Sequence, residues 1–183
     1  MIEEKQLVSA LQSIDKNEKA FRILISQYKE RLYWHIRKIV IIHEDADDVL
    51  QNTFIKVFKN IHKFKGDSKL FTWMYRIATN ESLNFINKNA KQNNISIEKI
   101  KDQLISNLES DIYFEGDVIQ IQLQKAIATL PHKQQLVFNM KYFENHTYEN
   151  LSEILDTSVG GLKSSYHIAV KKITNFIKTN ETF

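Results

Sequence analysis

The sequence predicts an all-α fold made of two small helical domains joined by a linker. Three observations point there. Four glycines and one proline occur in 183 residues, apolar residues recur at three- and four-residue spacing over most of the chain, and no alternation of strands with crossover helices is present. With 43% apolar and 26% charged residues the chain can bury one large or two small cores and stay soluble.

The first helices are expected at about Glu4 to Ser13 and Glu18 to Ile42, the second capped by Asn17. Phe21, Leu24, Ile25, Tyr28, Leu32, His35, Ile36 and Ile39 form its apolar face. A third helix follows from about Glu44. Ala46, Val49, Leu50, Thr53, Phe54, Val57, Phe58 and Ile61 give it one buried stripe. Its opposite side carries Asp47, Asp48, Gln51, Asn52 and Ile55, either a partner surface or a solvated face. Aspartates at a helix start also complement the macrodipole and can cap it.

Gly66 interrupts this pattern, and a new helix opens at Leu70 or Phe71 with Asp67 or Ser68 as its cap. The loop between them, HKFKGDSK, offers Phe64 as a stacking surface beside a rim of Lys63, Lys65 and Lys69. On the following helix Trp73, Arg76, Asn80 and Asn84 lie along one side and Leu70, Met74, Ile77, Glu81 and Phe85 along another. Aromatics interleaved with cations and amides suit unpaired bases, which offer a stackable face and hydrogen-bonding edges. Trp73 and Tyr75 have packing as their competing assignment.

These helices make a first domain of residues 1–90, with 15 Lys and Arg against 11 Asp and Glu. From Lys91 to Gln124 the balance reverses to 3 against 6, and no apolar stripe is sustained. Residues 91–117 are therefore expected to be a linker, the alternative being a packed connector around Leu104, Ile105 and Leu108. The second domain, 118–183, begins a new helical pattern at Val118 and holds Pro131 at a helix start. From Leu130 to Ile173 the pattern reads as four short helices. The pair Thr147–Leu155 and Val159 to about Phe176, joined by Asp156, Thr157 and Ser158, has helix-turn-helix length. Leu151, Ile154, Leu155, Leu162, Tyr166, Ala169 and Ile173 would form its core. Gly160, Lys163, Ser164, His167 and Lys171 would then face outward, where small and cationic groups can enter a major groove. A purely structural hairpin is the competing reading.

Two stretches resemble one family. DADDVLQNTFIKVFKNIHKFKGDSKLFTWMYRIATN is similar to the second conserved region of the extracytoplasmic-function group of bacterial sigma factors. The L-P-x-x-x-x-x-V-F-x-x-x-Y stretch from Leu130 and the S-V-G-x-x-K-S run from Ser158 resemble the fourth. The resemblance implies a promoter-specificity subunit of RNA polymerase with no catalytic site of its own. It implies that Asp47, Asp48, Gln51, Asn52 and Ile55 meet the polymerase clamp. Phe64, Lys65, Asp67, Ser68, Trp73, Arg76, Asn80 and Asn84 would then hold the melted downstream (minus-10) element. Gly160, Lys163, Ser164, Ser165, His167, Lys171 and Lys172 would contact the upstream (minus-35) element as duplex. Core polymerase and promoter DNA, duplex and single-stranded, are the implied partners, with an anti-sigma factor as a further candidate. Asn52 stands where members often carry Glu, Leu70 where an aromatic is common, and Ser165, Ile168 and Val170 where arginines are common.

Other classes fare poorly. The chain has no cysteine, hence neither disulfides nor thiolate metal sites. Its six histidines lack metal-ligand spacing, and most are expected at the surface or at caps; neither a phosphate loop nor a nucleophile elbow is present. No cofactor and no metal is expected. The amino-terminal stretch lacks a signal-peptide core, and no apolar run approaches the roughly 20 residues of a membrane span, so a cytoplasmic protein without membrane insertion is expected. Two alternatives remain: a stand-alone helix-turn-helix transcriptional regulator, and a helical adaptor that binds no nucleic acid.

Overall fold

The helices form where the apolar stripes place them. A computed structural model describes residues 4–13, 18–40, 42–92 and 118–180. It contains α1 (Glu4–Gln12), α2 (Glu18–Val40), α3 (His43–Asn60), a 3₁₀ turn (Ile61–Lys63), α4 (Leu70–Gln92), α5 (Val118–Ala128), α6 (His132–Tyr142), α7 (Tyr148–Leu155) and α8 (Val159–Asn180). No strand occurs among the described residues. The expected cap Asn17 and most of the expected linker, residues 93–117, lie outside them. By its contacts the chain divides into Met1–Ile86 and Asn87–Phe183.

In the first unit α3 buries Ala46, Val49, Leu50, Thr53, Phe54, Val57 and, just beyond its end, Ile61. These are the expected stripe, with Phe58 half-buried at its edge. Thr53 is tolerated in it because its hydroxyl donates to the Val49 carbonyl at 2.8 Å. Phe54 and Phe58 both meet Phe21 of α2 edge-on, at 6.4 and 4.9 Å between ring centroids. Helix α4 docks on α2 through polar as well as apolar groups. His35, only 1% exposed, hydrogen-bonds Thr79 at 2.8 Å, and the Tyr75 hydroxyl donates to the Arg31 carbonyl at 3.2 Å.

One expectation is corrected here. The first turn of α4 is not capped by Asp67 or Ser68; the Leu70 N–H donates to the Glu4 carboxylate of α1 at 3.0 Å. His35, on the expected apolar face of α2, is buried, and so is His146.

In the second unit α6 runs through the middle, with every residue from Gln135 to Met140 buried. Ala126, Ile127 and Leu130 pack with Phe138, Ala169 and Ile173 to form the core. The stretch from Leu130 to Ile173 holds three helices, α6, α7 and α8, rather than the expected four, and α8 runs unbroken from Val159 as expected. Asp156 adopts the left-handed conformation (φ 49°) that ends α7, a conformation Asp tolerates better than most residues. Ser158 then accepts a hydrogen bond from the Gly161 N–H at 3.3 Å and starts α8.

Candidate polymerase and nucleic-acid interfaces

Three surfaces gather the residues singled out from the sequence. On α3, Asp48, Gln51, Asn52 and Ile55 are exposed, and Asp47 is half-buried. Ile55 keeps 49% of its surface in solvent, high for an isoleucine. Beside it a cleft of about 460 Å³ opens between α2 and α3, lined by Phe21, Ile25, Lys29, Asp47, Gln51 and Ile55 among others. Asp47 is drawn toward His43, 3.6 Å away, whose other ring nitrogen is 2.6 Å from the Tyr33 hydroxyl. Asp45 lies among these acids and is itself half-buried. Burial, then the charges of Asp48 and Glu44, push the Asp45 carboxyl above its ordinary range.

The second surface is the loop before α4 and one side of that helix. Arg76, Asn80 and Asn84 are exposed and Trp73 half-buried along one stripe. Opposite them Met74, Ala78, Ser82 and Ile86 are buried. In the loop Lys65, Gly66 and Asp67 are exposed and Ser68 half-buried, with Gly66 at φ +80°, a conformation that favours glycine. Phe64 departs from expectation. It is 8% exposed and its ring lies 5.4 Å from that of Trp73, so it is a packing residue in this structure and presents no stacking surface. Gln12 of α1 pins the loop from behind, its amide donating to the carbonyls of Ile61 and Phe64 at 2.9 and 2.8 Å. Neither Gln12 nor Glu4 was singled out from the sequence, because a polar contact 49 or more residues away leaves no local signal.

The third surface is α8. Gly160, Lys163, Ser164, His167, Lys171 and Lys172 are exposed and Ser165 is half-buried. Leu162, Ala169 and Ile173 are buried on the other side with Leu151 and Ile154 of α7, while Leu155 and Tyr166 are half-buried. Thr147 caps α7, accepting from the Asn150 N–H at 3.2 Å. Lys163 reaches back over the Tyr148 ring, 5.7 Å from its centroid, and Lys141 stands 5.1 Å from the same ring. The Glu149 carboxyl is held below its ordinary range by its own backbone N–H, then by the Thr147 hydroxyl, with Lys163 and Lys141 adding to this.

The geometry thus offers two exposed polar helix faces and one acidic, partly apolar face. Sequence comparison decides what they belong to. The profile of Sigma-70 region 2 matches residues 24–92, and that of Sigma-70 region 4 matches residues 120–173. The chain belongs to the extracytoplasmic-function group of the sigma-70 family. The ECF RNA polymerase sigma-E factor of Haemophilus influenzae is 28% identical to this sigma factor over 183 residues, covering 96% of this chain and 95% of that one. Among solved structures, CnrH in complex with the cytosolic domain of CnrY matches with a TM-score of 0.71 at 16% identity, over 97% of this chain and 99% of that chain. The sigma factor RpoE in complex with the anti-sigma factor NepR from Bartonella quintana matches at 0.67 and 18% identity, over 89% of this chain and 99% of that one. These structural likenesses establish the fold. As a sigma factor the chain serves RNA polymerase in transcription initiation, as a specificity subunit that partners core polymerase and promoter DNA. No group of metal-binding side chains occurs among the described residues, and no helix among them is long and apolar enough to cross a membrane.

Proposed function

We propose that this sigma factor docks on core RNA polymerase through the outward face of α3, reads the minus-35 element as duplex with α8, and holds unpaired bases of the minus-10 element against the loop 65–69 and the outward stripe of α4. The observation that carries this reading is the uncovered α3 face, where exposed Asp48, Gln51 and Asn52 surround a half-exposed Ile55 beside an apolar cleft. Charged and amide groups around one apolar anchor are the composition of a specific docking patch. A stand-alone helix-turn-helix regulator has no use for it.

Base discrimination by α8 would amount to about 1–3 kcal/mol per good contact. Lysine and serine replace the bidentate arginine geometry there, so the contacts are single-point and rely on position. Capture of unpaired bases on α4 would offset the few kcal/mol spent in unstacking each one. An anti-sigma factor is part of the same proposal, supported by the solved relative bound to NepR.

Transcription in a purified system tests the whole reading. Core polymerase with this chain should initiate at a discrete promoter that core polymerase alone ignores. If the chain binds that promoter tightly without polymerase and gives no new transcript, the stand-alone regulator is the correct assignment.

A further inference from the structure

The proposed reading of the minus-35 element leaves open what fixes Lys163, the first cation of α8. Lys163 sits on an exposed helix face, has four rotatable side-chain bonds and is a point charge rather than a fork. A lysine of that kind loses much rotamer freedom if it is to hold one base, and that loss weakens discrimination. In this structure its ammonium lies 5.7 Å from the centroid of the Tyr148 ring, within cation–π range.

The ring itself is held. Tyr166, three residues beyond Lys163 and so on the adjacent turn of α8, meets Tyr148 edge-on at 6.5 Å. Tyr166 in turn stacks on buried Phe138 of α6 at 5.9 Å and 15° between planes. On the α6 side Lys141 donates to the His146 carbonyl at 3.0 Å, with its ammonium 5.1 Å from the same Tyr148 ring. An aromatic ladder therefore runs from the core of the second unit, through α8 and α7, to the side chain that faces the groove.

We infer that Tyr148 is a specificity-positioning residue: its ring holds the Lys163 ammonium where that lysine meets one base of the upstream element, without touching the base itself. This rests on the proposed function, in which Lys163 reads duplex DNA. A surface cation–π contact of this kind is expected to contribute roughly two- to fivefold in the population of the held rotamer. The preference of the protein for its base at the Lys163 position should fall by about that factor when the ring is lost.

The test uses holoenzyme made with the full chain and a duplex library randomised across the upstream element. Lys163→Ala should relax the preference at one position. Tyr148→Leu should relax the same position and no other, Tyr148→Phe should leave it as in wild type, and Tyr148→Leu added to Lys163→Ala should relax it no further. A structural role for Tyr148 would instead weaken binding evenly across all positions, which would overturn the inference, as would an unchanged motif in Tyr148→Leu. If Lys163→Ala itself leaves the motif unchanged, the reading of α8 falls and the inference with it, so the two failures are told apart. Should Tyr148→Leu fail to fold, side-chain NMR of the unmodified chain decides: the Lys163 methylene protons next to the ammonium should be ring-shifted upfield of those of Lys171, and coincident shifts would overturn the inference.

Discussion

The Glu4 carboxylate of α1 accepts a hydrogen bond at 3.0 Å from the backbone N–H of Leu70, 66 residues along the chain, at the first turn of α4. Helix starts leave N–H groups without intrahelical partners, and here one of them is met by a residue of another helix. Ser68, which the sequence offered for this role, points its hydroxyl instead to the Lys69 carbonyl at 3.4 Å. Glu4→Ala should therefore cost about 1 kcal/mol of stability, the usual size of a lost cap, while Ser68→Ala should be close to neutral. Urea denaturation of both variants checks this, and equal effects would mean that α4 is capped locally.

The α3 faces should separate cleanly. Asp48→Arg, Gln51→Ala and Ile55→Ala alter exposed side chains, so the helical circular dichroism signal and the melting temperature should stay near wild type while core polymerase binding weakens. Phe54, 7% exposed and packed on Phe21, should respond in the opposite sense. Phe54→Ala should destabilise by about 3–5 kcal/mol. Native gels with core polymerase measure the first effect and thermal unfolding the second. Wild-type affinity in Asp48→Arg would remove the α3 face from the docking proposal.

Asp45 gives a pH-dependent prediction with a definite sign. Burial, Asp48 and Glu44 raise its folded-state pKa above the ordinary 3.8, so the folded chain holds this proton more tightly than the unfolded chain does. Stability linked to Asp45 is therefore lost as pH rises through the carboxylate range, and the penalty is complete above the folded-state pKa. Asp45→Asn should raise the melting temperature at neutral pH, and the gain should shrink as pH falls through about 4, the range in which the unfolded-state aspartate takes up its proton as well. A gain of equal size at all pH values would point to packing rather than charge.

Much of this was legible in the sequence, and the limits have physical causes. The α3 stripe could be read because one side of that helix is buried and the other wet, so the period shows in the residues themselves. Helix α6 could not be read that way. Six consecutive residues from Gln135 to Met140 are buried, and a helix surrounded on all sides has no polar face to reveal its phase. On α4 the buried side includes Thr72, Thr79 and Ser82, polar types that sequence alone assigns to solvent. Ser82 satisfies its hydroxyl within the helix, on the Ala78 carbonyl at 2.8 Å, and Thr79 on His35, so burying them costs little. Loop side chains were the least legible. Whether Phe64 points out or in depends on Trp73 nine residues later, a contact that no short-range pattern encodes.

The burial of Phe64 sharpens the last prediction, which concerns promoter melting. If bases leave the duplex and bind this sigma factor, the groups available to them are exposed Arg76, Asn80 and Asn84, the exposed loop residues Lys65 and Asp67, and the accessible part of Trp73. Phe64 supports that surface from beneath, 5.4 Å from Trp73, and should matter through bulk rather than through stacking. Phe64→Leu, which keeps most of the volume, should open the promoter at close to the wild-type rate, whereas Phe64→Ala should loosen the loop and destabilise the first unit. Asn80→Ala should leave folding intact and lose roughly 1–3 kcal/mol of single-strand binding, stalling the holoenzyme before melting. Binding of the non-template strand should weaken with salt at a slope of about −0.7 per phosphate neutralised, and Arg76→Ala should reduce that slope. Permanganate reactivity of unpaired thymines reports opening directly. Were Phe64→Leu to stall like Asn80→Ala while folding normally, the ring of Phe64 would have to turn outward on the DNA, and the packed arrangement would be the state before capture.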